Sequence, residues 1–314
     1  MEAVCPLRPV PISLVPCPSP CYKVVVHHAR FPLLQLGWFS TARGPGSRAL
    51  LRSAREAIEA GQLNARIAFV FCNRERGESP ETDEFFRQVE SYGIPLVTYS
   101  FAAFKEAQNG KGMGFNGTAF APWREAYDRE VLNRLSGYHP NLAVLAGYML
   151  VMTPDLVRRF PNINLHPALP NGPVGTWQQV IWELIEKRAD ESGIFMHLAT
   201  PVLDRGPVVA YCRYSLRGAK FDALWRELGD RTADEVKSGE GEESALFQAI
   251  RAEGMRRELP FILETLKACS SITELRVTND QLVDGNGVAL TMLDLTEQVE
   301  ASVTQVSSNS PSEV

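Results

Sequence analysis

The sequence predicts an α/β fold, namely a Rossmann-like open and mostly parallel sheet with helices on both faces. Short apolar runs that suit buried strands, such as RIAFVFC at 66–72 and LAVLAGY at 142–148, alternate with segments of helical periodicity. These runs are apolar at nearly every position, which is typical of parallel strands that are covered on both faces. With 314 residues and a hydrophobic fraction of 45%, the chain has enough apolar side chains for such a core.

The order of elements follows from this alternation. Strands are expected at 33–40, 66–72, 95–100, 142–148, 162–166, 193–200 and 207–214. Helices are expected at 47–61, 82–93, 124–138, 153–160 and 175–193, followed by a charged helical region that ends near Cys269. A glycine-rich stretch at 103–121 is expected to be irregular, and a turn at 284–287 between alternating residues predicts a C-terminal hairpin.

The composition divides the chain into three parts. Residues 1–30 form a proline-rich N-terminal extension, residues 31–295 form the α/β domain, and residues 296–314 are expected to be a disordered tail. No internal repeat is evident.

The charge balance excludes several classes of partner. The formal net charge is -5 and the isoelectric point is near 5.7, so no broad basic surface is available for nucleic acid or an anionic membrane. No apolar run approaches the roughly 20 residues that cross a bilayer, and early prolines interrupt any secretory signal. We therefore expect a soluble cytoplasmic protein with small-molecule partners. A homodimer is possible and is not excluded by these observations.

The cysteines predict neither disulfides nor a metal site. Cysteines inside apolar strand-like runs are typical of reduced, buried thiols. The N-terminal extension places Cys17 and Cys21 before His27 and His28, which raises the possibility of zinc. Their spacing fits no ordinary finger pattern, so no metal is expected.

A loop between the first predicted strand and helix is the first chemical motif. Gly46, Ser47 and Arg48 lie where the helix begins, and its free N–H groups attract a phosphate or carboxylate. A tight turn from strand to helix explains the glycines equally well. The dinucleotide-binding fingerprint is excluded, because Ala49 stands where its third glycine is required.

A polar pair at the end of a buried strand is the second motif. Asn164 and His166 are two positions apart and therefore share one face of the strand, and Asp204 lies in a turn between two later strands. These residue types suit acyl transfer, since an amide stabilises an oxyanion, an imidazole handles a proton and a carboxylate orients the imidazole. Taken singly, each also has a structural explanation, such as an Asx turn between Asp204 and Gly206.

Four segments carry a resemblance to a known family. INLHPALP, VLAGYMLVMTP, REAYDRE and HLATPVLDRGPVV resemble the matching segments of the glycinamide ribonucleotide transformylases, and the likeness runs with gaps from about Leu34 to about Leu290. Those enzymes of purine biosynthesis move a formyl group from 10-formyltetrahydrofolate to an amine. The resemblance thus implies that residues 31–295 are a formyltransferase catalytic domain with 10-formyltetrahydrofolate as co-substrate and no metal.

The resemblance implies roles for the polar residues. Asn164, His166 and Asp204 match the family's catalytic asparagine, histidine and aspartate. Asn164 and a protonated His166 would stabilise the oxyanion, while Asp204 would keep His166 charged and hold a water that relays the proton. His197 matches a recurrent family histidine and would support this network, although a packed strand histidine explains it nearly as well.

The resemblance also implies two binding surfaces. The folate pocket would use two segments: Met149, Leu150, Val151 and Met152, and then Thr200, Pro201, Val202 and Leu203. The phosphate of the ribonucleotide would bind Gly46, Ser47 and Arg48, with Arg124 as a second positive contact. A solvated arginine on a helix surface is the alternative for Arg124.

This chain departs from the family pattern in two loops. The resemblance therefore predicts the formyl donor more firmly than the formyl acceptor. The family commonly has asparagine at the position of Arg48, and the loop of 167–176 is shorter here and has no histidine. Three alternatives stay open: transfer to another amine such as an amino sugar, transfer to water, and a non-catalytic folate-binding homologue. Transfer to initiator tRNA is disfavoured, because the C-terminal region is acidic and short.

Overall fold

The computed structural model describes residues 14–15, 23–24, 33–200, 204–272, 276–278 and 281–309. Its strands are β1 (Leu14–Val15), β2 (Lys23–Val24), β3 (Leu34–Ser40), β4 (Ala65–Cys72), β5 (Leu96–Thr98), β6 (Leu142–Leu145), β7 (Asn162–His166), β8 (Glu191–Leu198), β9 (Val208–Ser215), β10 (Arg276–Thr278), β11 (Gln281–Val283) and β12 (Leu293–Asp294). Its helices are α1 (Pro45–Glu59), α2 (Pro80–Ser91), α3 (Phe101–Ala107), α4 (Pro122–Arg134), α5 (Pro154–Arg159), α6 (Trp177–Glu186), α7 (Ala219–Leu228), α8 (Ala233–Gly239), α9 (Ala245–Ser270) and α10 (Thr296–Asn309). None of these helices combines the length and apolarity needed to span a bilayer.

The main sheet has eight strands in the order β12-β9-β8-β7-β6-β3-β4-β5. Strand β8 is antiparallel to both of its neighbours, β7 and β9, and every other pair in this sheet is parallel. The predicted Rossmann-like, mostly parallel sheet is confirmed. Because β3, β4, β6 and β7 run the same way, their carboxyl ends meet at one edge of the sheet.

Helices cover both faces of the sheet. Adjacent residues of a strand point to opposite faces, and in β3 both Trp38 and Phe39 are fully buried. Trp38 belongs to a core formed with α1, α2, α6 and α9, whereas Phe39 belongs to a second core formed with α4 and α5. This double burial explains why the predicted strands lack apolar/polar alternation.

Two sequence predictions of irregular or disordered segments are corrected. Residues 103–121 were expected to be irregular, but their first part belongs to α3. Residues 296–309 were expected to be disordered, but they form α10. Val299 and Val303 lie on one face of that helix and are buried, which a largely polar sequence obscured. Residues 310–314 lie outside the described residues.

The termini of the chain are described only in part. The predicted N-terminal extension and its cysteines and histidines lie outside the described residues, except for the antiparallel pair β1 and β2. At the other end β10 pairs with β11, and the predicted turn is formed, since the Gly287 N–H donates to the Asp284 carbonyl at 3.0 Å.

Candidate active site

The polar pair of β7 lies at the carboxyl edge of the sheet. Asn164 and His166 share a face of the strand, as their spacing predicts. The antiparallel strand β8 places His197 opposite Asn164 and Phe195 opposite His166. Strand pairing therefore brings a second histidine beside the asparagine.

Asp204 completes this cluster from the turn between β8 and β9. Its Oδ2 lies 3.3 Å from His166 Nδ1, and its Oδ1 lies 3.5 Å from both His197 Nε2 and Asn164 Nδ2. The backbone of Asp204 is left-handed, with φ at 50°. The structure thus brings together Asn164, His166, His197 and Asp204, although Asn164 and Asp204 are 40 positions apart.

The turn that carries Asp204 closes tightly on β8. A Cβ atom added at Gly206 would lie 1.7 Å from the Leu198 carbonyl oxygen and 3.1 Å from His197 Nδ1. We expect Gly206→Ala to lower the free energy of unfolding by about 3 kcal/mol, because the backbone must move to admit the methyl group. Denaturant unfolding measures this loss. The control is Gly137→Ala, where an added Cβ meets no atom within 4 Å; an equal loss in both variants would contradict the expectation.

Backbone contacts define the tautomer of His197. Its Nδ1 lies 2.9 Å from the Leu198 carbonyl, which only accepts, so the proton of a neutral ring is on Nδ1. Nε2 lies 3.3 Å from Asn164 Nδ2, from which a neutral ring accepts, and 3.5 Å from Asp204 Oδ1, to which a charged ring donates. His197 therefore contacts both the carboxamide of Asn164 and the carboxylate of Asp204.

His166 has an acceptor at each ring nitrogen. Nδ1 faces the Asp204 carboxylate, and Nε2 lies 2.9 Å from the Pro173 carbonyl, so only the charged ring satisfies both contacts. Burial nevertheless lowers the pKa of His166 below its usual value, and this effect exceeds the opposing effect of Asp204. Asp204 raises the pKa of His166, as the sequence predicts, but burial lowers this pKa by more.

Asp204 is held ionised. Burial opposes its charge, but the interactions with His197 and then His166 outweigh burial and lower the pKa of Asp204 below its usual value. A backbone N–H of Gly175 contributes in the same direction. The site therefore contains an ionised carboxylate beside the imidazole of His166. Burial makes protonation of this imidazole unfavourable while no ligand is bound.

These shifts predict how stability depends on pH. Below about pH 6.5 the unfolded chain protonates His166 while the folded chain resists it, so the unfolded state binds more protons and acidification lowers the free energy of unfolding. The lowered pKa of Asp204 has the same sign at still lower pH. We expect His166→Gln to weaken the loss of stability between about pH 7 and pH 5, measured by urea unfolding. An unchanged pH dependence, or an equal change in the exposed control His139→Gln, would contradict this.

A cavity of about 330 Å³ opens beside the cluster. Its lining includes three of the four clustered residues, Asn164, His197 and Asp204, together with the predicted segment 149–152 and Thr200. Pro201, Val202 and Leu203, which were also predicted for the folate pocket, lie outside the described residues. The volume suits a small ligand.

One wall of this cavity consists of residues that were not among the predicted site residues. Gly175, Thr176 and Gln179 line it, and the latter two form the capping box that begins α6. The Gln179 side chain accepts from the Thr176 N–H at 2.7 Å. The capping box was recognisable in the sequence, but only the fold brings it to the same cavity as Asp204.

The prediction that Arg124 binds a phosphate is wrong. Its side chain is 1% exposed and forms an ion pair with Asp128, which is also buried in α4. Nη2 of Arg124 donates to the Val151 carbonyl at 2.8 Å, and Asp128 Oδ2 accepts from the Thr153 N–H at 2.8 Å. A guanidinium enclosed in this way instead positions the backbone that lines the cavity.

The predicted anion loop is at the same edge of the sheet. Gly46 and Ser47 lie in the first turn of α1, and a Cβ at Gly147 would be 3.3 Å from Ser47 Oγ, so the loop adjoins the end of β6. Arg48 forms an ion pair with Glu81 and lies 4.0 Å from Glu84. Its charge is therefore partly neutralised, which weakens the expected contact with a phosphate.

Comparisons with known proteins identify the family of this chain. The profile of the family described as "Formyl transferase" matches residues 44–218, which is more than half of the chain. The phosphoribosylglycinamide formyltransferase of Escherichia coli K12 is 38% identical over 169 residues, which are 52% of this chain and 66% of that protein. The formyltetrahydrofolate deformylase of the same strain is 32% identical over 88 residues, or 27% of this chain and 31% of that protein.

The fold has known relatives of lower sequence identity. Glycinamide ribonucleotide transformylase 1 from Symbiobacterium toebii superposes with a TM-score of 0.52 at 19% identity, covering 80% of this chain and 93% of that one. The alignments span less than two thirds of the two curated relatives named above. Since the profile match covers more than half of the chain and includes the whole polar cluster, this protein belongs to the formyl transferase family.

Proposed function

We propose that this protein transfers the formyl group of 10-formyltetrahydrofolate to the amine of glycinamide ribonucleotide, a step of purine synthesis. One observation carries the proposal: Asn164, His166 and Asp204 converge within hydrogen-bonding range beside a cavity lined by residues 149–152. The E. coli formyltransferase, 38% identical over the aligned region, supports the choice of reaction.

The reaction requires an oxyanion contact and a proton path. The amine attacks the formyl carbon, so that a C–N bond forms and the carbonyl oxygen becomes negative. Asn164 donates an N–H to this oxyanion, and His166 exchanges the Pro173 carbonyl for it at Nε2. The developing charge favours protonation of His166 and offsets the cost of burial.

Collapse of the intermediate breaks the bond between the formyl carbon and the folate nitrogen. The amine loses a proton and the folate nitrogen gains one, so the overall transfer is balanced. Asp204 accepts and returns this proton, directly or through a bound water, because its ionised carboxylate faces the cavity. His197 keeps Asn164 oriented throughout.

The pterin of the donor occupies the cavity along residues 149–152. The remaining backbone groups of this segment are available to the hydrogen-bonding edge of the ring, and its apolar side chains line the same cavity. Arg124 and Asp128 hold the segment from behind through Val151 and Thr153. Thr200 lies on the same cavity wall.

The phosphate of the acceptor binds at the start of α1, where Gly46 and Ser47 present the positive end of the helix dipole. Water is a second candidate acceptor, and the ion pair between Arg48 and Glu81 favours it by weakening the attraction for a phosphate. The local similarity to a formyltetrahydrofolate deformylase is compatible with this alternative.

An acceptor panel tests the proposal. Purified protein is incubated with 10-formyltetrahydrofolate and glycinamide ribonucleotide, an amino sugar or no amine, while released tetrahydrofolate and formylated product are measured. Release that depends on the ribonucleotide and exceeds the no-amine rate at least about tenfold supports the proposal. Equal rates identify a hydrolase, release with the amino sugar alone identifies another acceptor, and folate binding without release identifies a non-catalytic homologue.

A further inference from the structure

A second cavity, of about 770 Å³, lies at the opposite edge of the sheet. Its lining comes from the beginnings of the parallel strands: Gln35 of β3, 66–68 of β4, Pro95 before β5, and 137–139 before β6. We call it the amino-edge cavity. A strand of seven residues such as β3 separates it from the catalytic edge by roughly 20 Å.

Two arginines give this cavity a positive lining without a carboxylate. Arg66 donates Nε to the neutral Gln35 side chain at 3.0 Å and has no ion-pair partner within the described part of the chain. Arg55 pairs with Glu59 at 2.6 Å, which partly neutralises its charge, but its Nε is buried and has no hydrogen-bond partner among the described residues. A buried N–H without an acceptor is costly, so an oxygen acceptor supplied by a ligand stabilises it.

His139 adds a third donor. Its Nδ1 lies 3.3 Å from Arg159 Nη2, and since a guanidinium only donates, Nδ1 must accept. The proton of the neutral ring is then on Nε2. The ionisable side chains of the amino-edge cavity thus offer N–H donors from three residues, which together suit a carboxylate, phosphate or sulfonate.

The remaining walls are largely apolar. Ile58, Ile67, Ile94 and Pro95 line the cavity with two tyrosines, Tyr92 and Tyr138. Apolar walls with a few convergent polar groups are typical of small-molecule sites, and the volume falls in their usual range. We propose that the amino-edge cavity binds a small organic anion with an aromatic or aliphatic body, its charged group held by Arg55, Arg66 and His139.

This site is independent of the proposed formyl transfer, because it shares no residue with the catalytic cavity. The probe is 8-anilinonaphthalene-1-sulfonate, an aromatic anion whose fluorescence rises in apolar surroundings. Its neutral analogue N-phenyl-1-naphthylamine lacks the sulfonate. Both are titrated into the full-length protein, without and with excess tetrahydrofolate to occupy the other cavity.

Three variants locate the binding. In Arg55→Gln/Arg66→Gln the charge of the cavity is removed, whereas Arg52→Gln on the same helix removes an exposed arginine as a control. Gly137→Trp introduces a bulky side chain at the cavity wall, where an added Cβ meets no atom within 4 Å. Circular dichroism verifies that each variant is folded.

The sulfonate probe should bind saturably, and the double variant and Gly137→Trp should each weaken binding at least about tenfold, while Arg52→Gln changes it less than twofold. Tetrahydrofolate should not displace the probe, and the neutral analogue should bind at least about tenfold more weakly. The proposal is overturned if the probe does not bind, if the double variant binds it as tightly as the wild type, or if tetrahydrofolate displaces it.

Discussion

Asp204→Asn should lower kcat for formyl transfer by about 10²- to 10⁴-fold, the range for loss of a proton-transfer group. The change removes the charge that faces His166 at 3.3 Å and His197 at 3.5 Å. It keeps the shape of the side chain, and asparagine tolerates the left-handed backbone found at this position, with φ at 50°. The loss should therefore be chemical and not structural.

Steady-state kinetics with the acceptor that the panel identifies, together with folate binding measured by fluorescence, test this expectation. The dissociation constant for tetrahydrofolate should change less than about threefold, so that the defect appears in kcat. Asp155→Asn is the matched control, because Asp155 is an exposed aspartate paired with Arg158 at 2.5 Å on α5. A loss of less than about fivefold in Asp204→Asn would exclude Asp204 from proton transfer.

Arg124→Met should lower the free energy of unfolding by about 3–5 kcal/mol, because it leaves the buried carboxylate of Asp128 without a countercharge. The variant also loses the hydrogen bond to the Val151 carbonyl. We expect weaker tetrahydrofolate binding as well, since Val151 belongs to the segment that lines the cavity. Urea unfolding and fluorescence titration measure the two effects.

A double variant separates stability from positioning. Arg124→Met/Asp128→Leu removes both buried charges, so neither is left without a partner. Much of the free energy of unfolding that Arg124→Met loses should therefore return. Folate binding should stay weak, because neither the Val151 carbonyl nor the Thr153 N–H regains its partner. Arg129→Met, an exposed arginine of the same helix, should change stability by less than about 0.5 kcal/mol. Recovery of folate binding in the double variant would show that the pair does not position the segment.

Local patterns predicted the sheet and part of the site. Runs such as 69–72 are buried on both faces, so their apolar composition indicated parallel strands. The two-residue spacing of Asn164 and His166 placed both on one face, the turn between two later strands indicated Asp204, and the family resemblance supplied its catalytic role. Periodicity and resemblance were sufficient here because each feature lies within one strand or one turn.

These sequence patterns did not predict contacts between elements that are distant along the chain. Arg124 has the sequence appearance of a surface arginine, and only the packing of α4 against the segment after β6 encloses it. Similarly, the ion pair of Arg48 with Glu81 joins two helices. The sign of the His166 pKa shift depends on how deeply the ring is buried, which no spacing of residues reveals.

The antiparallel strand β8 has a consequence for how the site forms during folding. Asn164, His166, His197 and Asp204 all belong to one continuous stretch that pairs β7, β8 and β9 in sequence order. We expect amide hydrogens of this stretch to exchange as one cooperative unit. The reactive geometry would then be gained or lost as a whole, and no partly assembled form would accumulate.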